Sequence, residues 1–263
     1  MVRTRPDSVE VSLADLAQMI DHSLLHPTMT DDEVLEGLEI AKKYGVATAC
    51  IKPYHILFAK LHLRGSEVGL CPVIAFPHGN STTEVKVFEA IRAVEECKAD
   101  NENGRVEIDV VVNVGRVLSG KWEFVERELS HINNAITERG AILKVIFEND
   151  YLQPMQIIRL SQICTKLNIA FIKTSTGYGF VKDSKTGDYN YRGATIEHLE
   201  LMSDNSGGKL EIKAAGGIRT LDDLLRMRAL GVSRVGATAT IAILEEAKKR
   251  GIGEYRVSVK VQW

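Results

Sequence analysis

Short apolar runs alternate with longer amphipathic stretches along most of the chain. The apolar runs are rich in β-branched residues and break at glycine, proline or polar residues, which is typical of strands. Several of them are apolar on both faces, as strands are in a sheet that helices cover. Eight such runs predict strands, at residues 18–25, 46–52, 68–76, 105–113, 141–148, 169–174, 210–215 and 233–236.

The stretches between these runs carry signals for the start of a helix. Thr30 and Glu33 have the spacing of a capping box, and Gly45 is placed to end that helix. Residues 81–84 and 220–223 repeat the spacing. Strands that alternate with helices indicate parallel pairing through βαβ units. Eight units in 263 residues predict a closed (β/α)₈ barrel, because such barrels reach about 250 residues as one domain.

We therefore predict an α/β fold, a single TIM-barrel domain over residues 1–263, with an N-terminal extension at 1–14 and a C-terminal tail at 251–263. An open doubly wound sheet is the alternative, but the GxGxxG motif that would favour it is missing from the sequence. Residues 182–192 are polar and follow the sixth run. We expect an extended loop there at the catalytic end of the barrel, with a tolerated surface insertion as the other interpretation.

Composition narrows the classes of function. The formal net charge is -2, and lysine and arginine form no basic stripe, so we expect no nucleic-acid partner. The sequence has no apolar run of about 18 residues that could span a membrane, and its first residues lack the apolar centre of a signal peptide. The four cysteines are far apart, with no CxxC, which predicts neither disulfides nor zinc and fits a cytoplasmic location.

Four charged residues interrupt the fourth to seventh apolar runs. They are Asp109, Lys144, Lys173 and Lys213, each flanked by apolar or β-branched neighbours. Side chains at the C-terminal ends of barrel strands converge on one mouth. Isolated buried charges are costly, so these groups should pair with one another. Ion pairs that merely hold the barrel together are the alternative interpretation.

Two lysines held close together have a chemical use. A free lysine has a pKa of about 10.4 and is almost always protonated at neutral pH. A second ammonium about 4 Å away opposes protonation by about 4 kcal/mol at an effective dielectric near 20. The freed amine can attack an aldehyde. Lys173 and Lys213 could form this pair, while Asp109 could move protons directly or through water.

Glycine turns follow both lysines. Gly216 and Gly217 precede a helix start near Thr220, and Gly236 precedes the last helix. Glycine lets backbone N–H groups approach an anion, and a helix N-terminus attracts one. The loops after strands seven and eight hold phosphate in many barrels. The turns therefore predict a phosphate site, although short glycine turns are also ordinary connections between strand and helix.

Eight motifs, in order along most of the chain, resemble the deoxyribose-phosphate aldolase family. They are MIDHSLL (19–25), ACIKP (49–53), FPHGN (76–80), EIDVVV (107–112), LKVIFE (143–148), FIKTSTG (171–177), IKAAGGIR (212–219) and RVGAT (234–238). The resemblance implies a (β/α)₈ barrel and a class I aldolase without a metal or other cofactor. It also implies reversible cleavage of 2-deoxy-D-ribose 5-phosphate to D-glyceraldehyde 3-phosphate and acetaldehyde.

The resemblance also implies roles for single residues. Lys173 matches the Schiff-base lysine, Lys213 the lysine that perturbs it, and Asp109 the acid that transfers protons. The positions that match the phosphate loops are Gly177, Gly216, Gly217, Gly236 and Thr238. The positions that match the lining of the pocket are Asp21, Cys50, Lys144 and Thr176. For Cys50, a small core residue is the alternative interpretation.

The chain departs from the family pattern at three places. Ala239 stands where a second adjacent hydroxyl is expected, Lys52 replaces an uncharged residue, and the segment after Tyr178 is longer than a short turn. A related Schiff-base barrel aldolase for another sugar phosphate and a non-catalytic phosphate-binding barrel are therefore the alternative functions. The expected partners are a small phosphorylated sugar and acetaldehyde, with a homodimer as a possible assembly.

Overall fold

The computed structural model describes residues 5–99, 104–183 and 185–263. Residues 1–4 of the predicted N-terminal extension and residue 184 of the predicted polar loop lie outside the described residues. Eight parallel strands close into a barrel, because the last barrel strand pairs with the first. The barrel strands, in order around it, are β2 (Ile20–Leu24), β3 (Thr48–Ile51), β4 (Gly69–Ile74), β5 (Glu107–Val111), β6 (Ile142–Ile146), β7 (Phe171–Lys173), β10 (Glu211–Ala215) and β11 (Arg234–Ala237).

Seven of the eight predicted apolar runs contain one barrel strand each, and the eighth ends one residue before β11 does, so the prediction of a closed (β/α)₈ barrel is confirmed. The open sheet is excluded, because it would leave β2 and β11 as edges, whereas they bond to each other. Every residue of β3, β4 and β5 is buried. Burial on both faces explains why these runs are mostly apolar rather than alternating, with the charged residues of β5 as the exception.

Helices surround the barrel, and polar caps begin several of them, as the sequence indicates. They are α1 (Leu13–Gln18), α2 (Asp31–Tyr44), α3 (Ile56–His62), α4 (Thr83–Lys98), α5 (Val114–Leu118), α6 (Trp122–Thr137), α7 (Pro154–Lys166), α8 (Ile196–Asp204), α9 (Leu221–Ala229) and α10 (Thr240–Lys249). The capping boxes at Thr30 and Thr220 are both formed. The predicted start at residue 81 is one residue early, because Thr82 is the cap of α4 and accepts from the N–H of Val85.

Strand register aligns the predicted charged residues in two pairs, which lie two residues apart along the strands. Asp109 on β5 lies opposite Lys144 on β6, and Lys173 on β7 lies opposite Lys213 on β10. Side chains alternate across a strand, so residues in register on parallel neighbours face the same way. All four are buried. The fold therefore concentrates charge at the barrel axis instead of distributing it over the surface.

The two ends of the chain differ from the sequence prediction of an extension and a tail. β1 (Ser8–Val11) and β12 (Val257–Lys260) pair antiparallel in a separate two-stranded sheet, and β1 packs against α9. Val11 and Val261 are buried there. Each strand has only four residues and no long apolar run, so neither has a sequence pattern that predicts a strand. Their pairing depends on contacts between the two ends of the chain. The extent of the domain, residues 1–263, remains a prediction.

The polar segment after β7 is also more ordered than the extended loop predicted at 182–192. β8 (Val181–Lys182) and β9 (Tyr189–Asn190) pair antiparallel as a short hairpin. Asp183 organises its turn by accepting the N–H groups of Lys185 and Thr186. The paired stretches are two residues long and exposed, which is why no apolar alternation marks them in the sequence.

Two sequence predictions concern membranes and disulfides. Among the described residues, no helix combines the length and the apolar character needed to cross a bilayer. All four cysteines are buried and free. The cytoplasmic location inferred from them stays a prediction.

Candidate active site

A cluster of seven charged side chains lies inside the barrel. Its carboxylates are those of Asp21, Glu107 and Asp109. Its cations are those of Lys144, Lys173, Lys213 and Arg234. Arg234 joins two of the carboxylates, with 2.7 Å from its Nη1 to oxygens of both Asp21 and Glu107. Charges this deeply buried are tolerated only because each has partners of the opposite sign.

Asp109 lies at the centre of the cluster. Its Oδ2 accepts hydrogen bonds from the Nζ atoms of both Lys173 and Lys213, each at 2.7 Å, while Lys144 Nζ lies 3.2 Å from Oδ1. The two predicted catalytic lysines are therefore neighbours that share one oxygen atom. Lys213 also forms an ion pair with Asp21, at 2.5 Å.

The partners set the protonation states of the buried groups. Burial alone would lower the pKa of Lys213, but the carboxylates of Asp109 and Asp21 raise that pKa above its usual value. Burial opposes the charge of Asp109 as well, yet the lysines around it hold the pKa of its carboxyl well below the usual range. At neutral pH Lys213 is therefore a cation and Asp109 an anion, which are the states that the sequence argument requires.

Charge balance within the cluster distinguishes one lysine from the rest. When all are ionised, four cations face three carboxylates, which leaves one positive charge unpaired. Lys173 lies on the wall of a cavity, whereas Lys144 and Lys213 are fully buried beneath it. Lys173 is therefore the lysine of the cluster that a dissolved reactant can reach.

The cavity has a volume of about 660 Å³ and opens where the barrel strands end. The predicted site residues on its wall are Lys173, Thr176, Gly177, Gly216, Gly217, Gly236 and Thr238. Gly236 covers the buried lysine, since a Cβ added there would lie 3.6 Å from Cε of Lys213. The catalytic and phosphate-binding groups predicted from separate parts of the sequence thus border one space.

Three residues predicted to line the pocket lie beneath its wall instead. Asp21, Cys50 and Lys144 are fully buried and take part in the charged cluster or contact it. The resemblance placed these three residues inside the barrel near the catalytic lysines, as the structure does. It could not show how deep the cavity reaches between the strands. Cys50 Sγ lies 4.0 Å from Oδ2 of Asp109, so it contacts the cluster without an exposed surface.

Cys71 is a member of the site that sequence reasoning missed. It lies opposite Cys50 in the register of β3 and β4, and its thiol donates to Oδ1 of Asp109 at 3.1 Å. Lys144 donates in turn to its sulfur, also at 3.1 Å. The sequence could have indicated Cys71, because it lies in the predicted strand that follows the strand of Cys50. Glu107 and Arg234 were missed as well, although Glu107 lies two residues before Asp109 and so faces the same way.

Glu148 is a further residue that the sequence did not single out. It lies two residues after the end of β6 in the left-handed region, with φ of 59°, and its side chain is buried. Its carboxylate accepts the N–H and the hydroxyl of Thr176, in the loop that begins after Lys173. Burial raises its pKa, and the bonds from Thr176 oppose that rise. Glu148 therefore fixes the loop beside Lys173, the lysine on the cavity wall.

The glycine turns have the shape expected at an anion site. Gly216 and Gly217 both have positive φ, near 89° and 86°, which glycine adopts without the strain of a side chain. Helix α10 starts at Thr240, and its cap residue, Ala239, supplies no side-chain hydrogen bond. The N–H groups at this helix end are thus left for another acceptor, in the turn where Thr238 faces the cavity.

An apolar wall faces the lysine. Leu25, Cys50, Cys71 and Val73 form a small buried cluster, against which Phe76 and Tyr178 pack. The Phe76 ring centre is 6.0 Å from Nζ of Lys173. Lys173 therefore lies between an apolar surface and a charged one.

Metal ligation is possible in principle at one place among the described residues. The donor atoms of Cys50, Cys71 and Asp109 all lie within 4.8 Å of one another. A cation there would have to compete with the lysines that already bond to Asp109. The residues present thus fit an internal ammonium better than a metal, and the expectation of no metal or other cofactor stays a prediction.

Comparison with known proteins agrees with this geometry. Residues 16–242 match the family model described as "DeoC/LacD family aldolase". The chain belongs to the DeoC/LacD aldolase family. A protein named deoxyribose-phosphate aldolase from Rhodopirellula baltica is 44% identical over 236 residues, which are 90% of this chain and 90% of that protein. Another of the same name, from Caldanaerobacter subterraneus, is 38% identical over 245 residues, 93% of this chain and 98% of its own length.

Solved structures share the fold of this family member. A putative deoxyribose-phosphate aldolase from Coccidioides immitis superposes with a TM-score of 0.80 at 31% identity, over 94% of this chain and 88% of that one. A deoxyribose phosphate aldolase from Aeropyrum pernix, described as tetrameric, gives a TM-score of 0.77 at 28% identity, over 91% and 93% of the two chains. The motif resemblance found in the sequence is confirmed.

Proposed function

We propose that the protein is a deoxyribose-phosphate aldolase that works through a Schiff base on Lys173. The names of its relatives support the substrate. One observation carries the mechanism: Lys173 reaches the cavity, while Asp109 and the cationic Lys213 lie directly behind it. A nucleophilic amine needs access to the reactant and a neighbour that favours loss of its proton, and this arrangement supplies both.

The proposed cleavage begins at the aldehyde carbon of the open-chain sugar. Neutral Nζ of Lys173 attacks C1, and loss of water gives an iminium. The C3 hydroxyl then loses its proton, the C2–C3 bond breaks, and its electron pair moves into the iminium. D-glyceraldehyde 3-phosphate leaves, and an enamine remains on Lys173. Protonation of the enamine carbon and hydrolysis release acetaldehyde and restore the amine.

Asp109 is the group we assign to proton transfer. Its Oδ2 is 2.7 Å from Nζ of Lys173, so it can accept a proton from that nitrogen or pass one to it, directly or through a water molecule. Lys213 supplies the fixed positive charge. When Lys173 forms the bond to carbon, the carboxylate of Asp109 faces the iminium in the place of the ammonium and stabilises its charge.

The phosphate of the substrate would bind at the glycine turns. Gly216 and Gly217 present backbone at the cavity wall, and Thr238 adds a hydroxyl beside the start of α10. Arg219, two residues after Gly217, also borders the cavity and supplies a cation. Backbone N–H groups, a helix N-terminus and a guanidinium together form a usual phosphate site. The hydroxyl lost at Ala239 would weaken this site without abolishing it.

The apolar wall favours acetaldehyde as the product on the lysine. Phe76 and Leu25 face the region beside Lys173, where a methyl group can be buried without loss of hydrogen bonds. A phosphorylated ketose would bring a charged group to the same wall. We therefore prefer the deoxyribose-phosphate reaction to that of a related aldolase acting on another sugar phosphate.

Reductive trapping tests the proposed nucleophile. The protein is incubated with acetaldehyde and borohydride, and the position of the resulting ethyl group is mapped by mass spectrometry. We expect the label on Lys173 and its loss in Lys173→Arg, with retro-aldol activity on deoxyribose 5-phosphate that resists a chelator. A label on another lysine would contradict the mechanism. Activity with dihydroxyacetone phosphate in place of acetaldehyde as the donor would indicate the related aldolase for another sugar phosphate. Phosphate binding without turnover would indicate the non-catalytic barrel.

Assembly and location remain open to experiment. We retain a homodimer and a cytoplasmic location as proposals, the first because barrel aldolases commonly pair through helix faces and the second because the four cysteines are free. Sedimentation would determine the assembly.

A further inference from the structure

The hairpin segment, defined here as residues 180–193, lies against the proposed phosphate site. Phe180 and Tyr191, at its two ends, both border the cavity, and their rings meet edge to face at 5.7 Å between centres. Inside the hairpin, the N–H of Asp183 donates to the carbonyl of Asp188 at 2.7 Å. The segment is thus a folded element with its own bonds, and its base is the part that touches the site.

Asp150 holds that base. It lies in the turn after β6, and its Oδ2 accepts the N–H of Arg192 at 2.8 Å and of Gly193 at 3.0 Å. Its neighbour Tyr151 lies at the other end of the segment, where its hydroxyl donates to the carbonyl of Phe180 at 3.4 Å. Two hydrogen bonds to one carboxylate oxygen fix the backbone direction at residues 192 and 193.

The backbone held by Asp150 packs directly on the phosphate turn. A Cβ at Gly193 would lie 2.6 Å from the carbonyl oxygen of Gly216, and a Cβ at Gly216 would lie 2.9 Å from Cα of Gly193. Ala194 donates its N–H to Gly216 at 3.1 Å, and the Tyr191 ring adjoins the same glycine. Contact this close transmits any displacement of residue 193 to residue 216.

We propose that Asp150 is a positioning residue for the phosphate end of the substrate. It acts through the backbone of Arg192 and Gly193, which supports the Gly216 turn from behind. The inference rests on the proposed function, and it assigns to the hairpin segment a part in recognising phosphorylated substrates. The essential property of Asp150 is its hydrogen-bond acceptor, because a negative charge near a phosphate brings no benefit of its own.

Kinetics on two substrates test this role. Asp150→Ala is compared with Asp150→Asn, which keeps an acceptor oxygen, and with Asp188→Ala, which removes an exposed carboxylate from the hairpin turn. We expect Asp150→Ala to raise KM for deoxyribose 5-phosphate about tenfold or more, the effect of one charge-assisted hydrogen bond. Its kcat, and its kcat/KM on unphosphorylated 2-deoxyribose, should change less than about twofold. The two other variants should resemble the wild type.

A general structural role predicts a different result. Equal losses on the two substrates, or an unchanged KM in Asp150→Ala, would overturn the proposal. Should that variant fail to fold, Gly193→Ala displaces the Gly216 turn directly, at the same contact, and must show the same selective rise in KM. Calorimetric titration of inorganic phosphate separates the two hypotheses. A wild type that is inactive but binds phosphate, with weaker binding in Asp150→Ala, contradicts the function and supports the positioning role.

Discussion

At the scale of single residues, the site depends on one shared carboxylate. Asp109 accepts from Lys173 and Lys213 at the same oxygen, so the anion that stabilises the second cation also stabilises a proton on the first. A like charge alone, which was the basis of the sequence argument, is therefore an incomplete description. What remains after the pairs are formed is the excess of one positive charge, and that excess is the basis on which we propose that Lys173 reacts as a neutral amine.

The charge excess gives a direct prediction for Lys213→Leu. Removal of this cation leaves three cations and three carboxylates, so Lys173 keeps its proton without imbalance. We expect the retro-aldol rate at pH 7 to fall about 100-fold, equivalent to about 2.7 kcal/mol. The rate should rise with pH, because deprotonation of Lys173 then no longer needs the second charge. A pH–rate profile of purified variant and wild type measures this.

Lys213→Arg is the matched control, since it keeps the charge at that position. At pH 7 we expect Lys213→Arg to lose less of the wild-type rate than Lys213→Leu does. A leucine variant with an unchanged rate at pH 7, or a loss that does not recover as pH rises, would remove the electrostatic role of Lys213.

At the scale of elements, a second buried ion pair ties two outer helices to the barrel. Lys86 on α4 lies 2.8 Å from Glu128 on α6, and both side chains are buried. Lys86 also donates to the carbonyl of Val111, at the end of β5, while Thr83 donates to Glu128. The bonds thus join α4, α6 and β5, and the pair fixes how α4 and α6 pack on the strand that carries Asp109.

Breaking this pair should destabilise the protein more than removing it. Lys86→Met leaves Glu128 buried and unpaired, which costs about 3–5 kcal/mol in free energy of unfolding. Lys86→Met with Glu128→Leu removes both charges, and we expect most of the loss to be recovered. Urea unfolding of the wild type, both single variants and the double variant gives the coupling. Additive losses would show that the two charges do not depend on each other.

The elements also show what sequence patterns can predict. The barrel strands were predictable because burial on both faces requires continuous apolar runs such as residues 68–76. β8 and β9 were not predictable, because a strand of two exposed residues is too short to show an alternation of apolar and polar residues. β1 and β12 lie at opposite ends of the chain, and their pairing is a tertiary contact that local propensity does not encode.

At the scale of the whole molecule, the site was only partly predictable. Side chains at the C-terminal ends of barrel strands converge on one mouth, so Asp109, Lys173 and Lys213 could be placed together from their positions in the apolar runs. The depth of the cavity, and hence the burial of Lys144, depends on loops whose shape the sequence does not state. The contact between Gly193 and Gly216 escaped prediction for the same reason.

The burial of one histidine makes the stability of the whole chain depend on pH. His22 on β2 lies 2.8 Å from the hydroxyl of Thr240 on α10, and burial lowers its pKa to about 4. The unfolded value is about 6.5, so between these values the unfolded chain binds a proton that the folded chain does not. Stability contributed by neutral His22 is therefore complete above pH 6.5 and is lost as pH falls, by about 3 kcal/mol at pH 4.

The buried carboxylates of the barrel contribute to stability in a lower pH range than His22. The two contributions can therefore be measured separately. Paired cations hold the pKa values of Asp21 and Asp109 below the usual range, so their contribution is lost only below about pH 4. His22→Asn should therefore flatten the fall in unfolding free energy between pH 6.5 and pH 4 and leave the lower part unchanged. His131→Asn, at an exposed histidine, should not alter the curve. Chemical denaturation at a series of pH values decides, and parallel curves for the His22 variant and the wild type would show that His22 is not the group responsible.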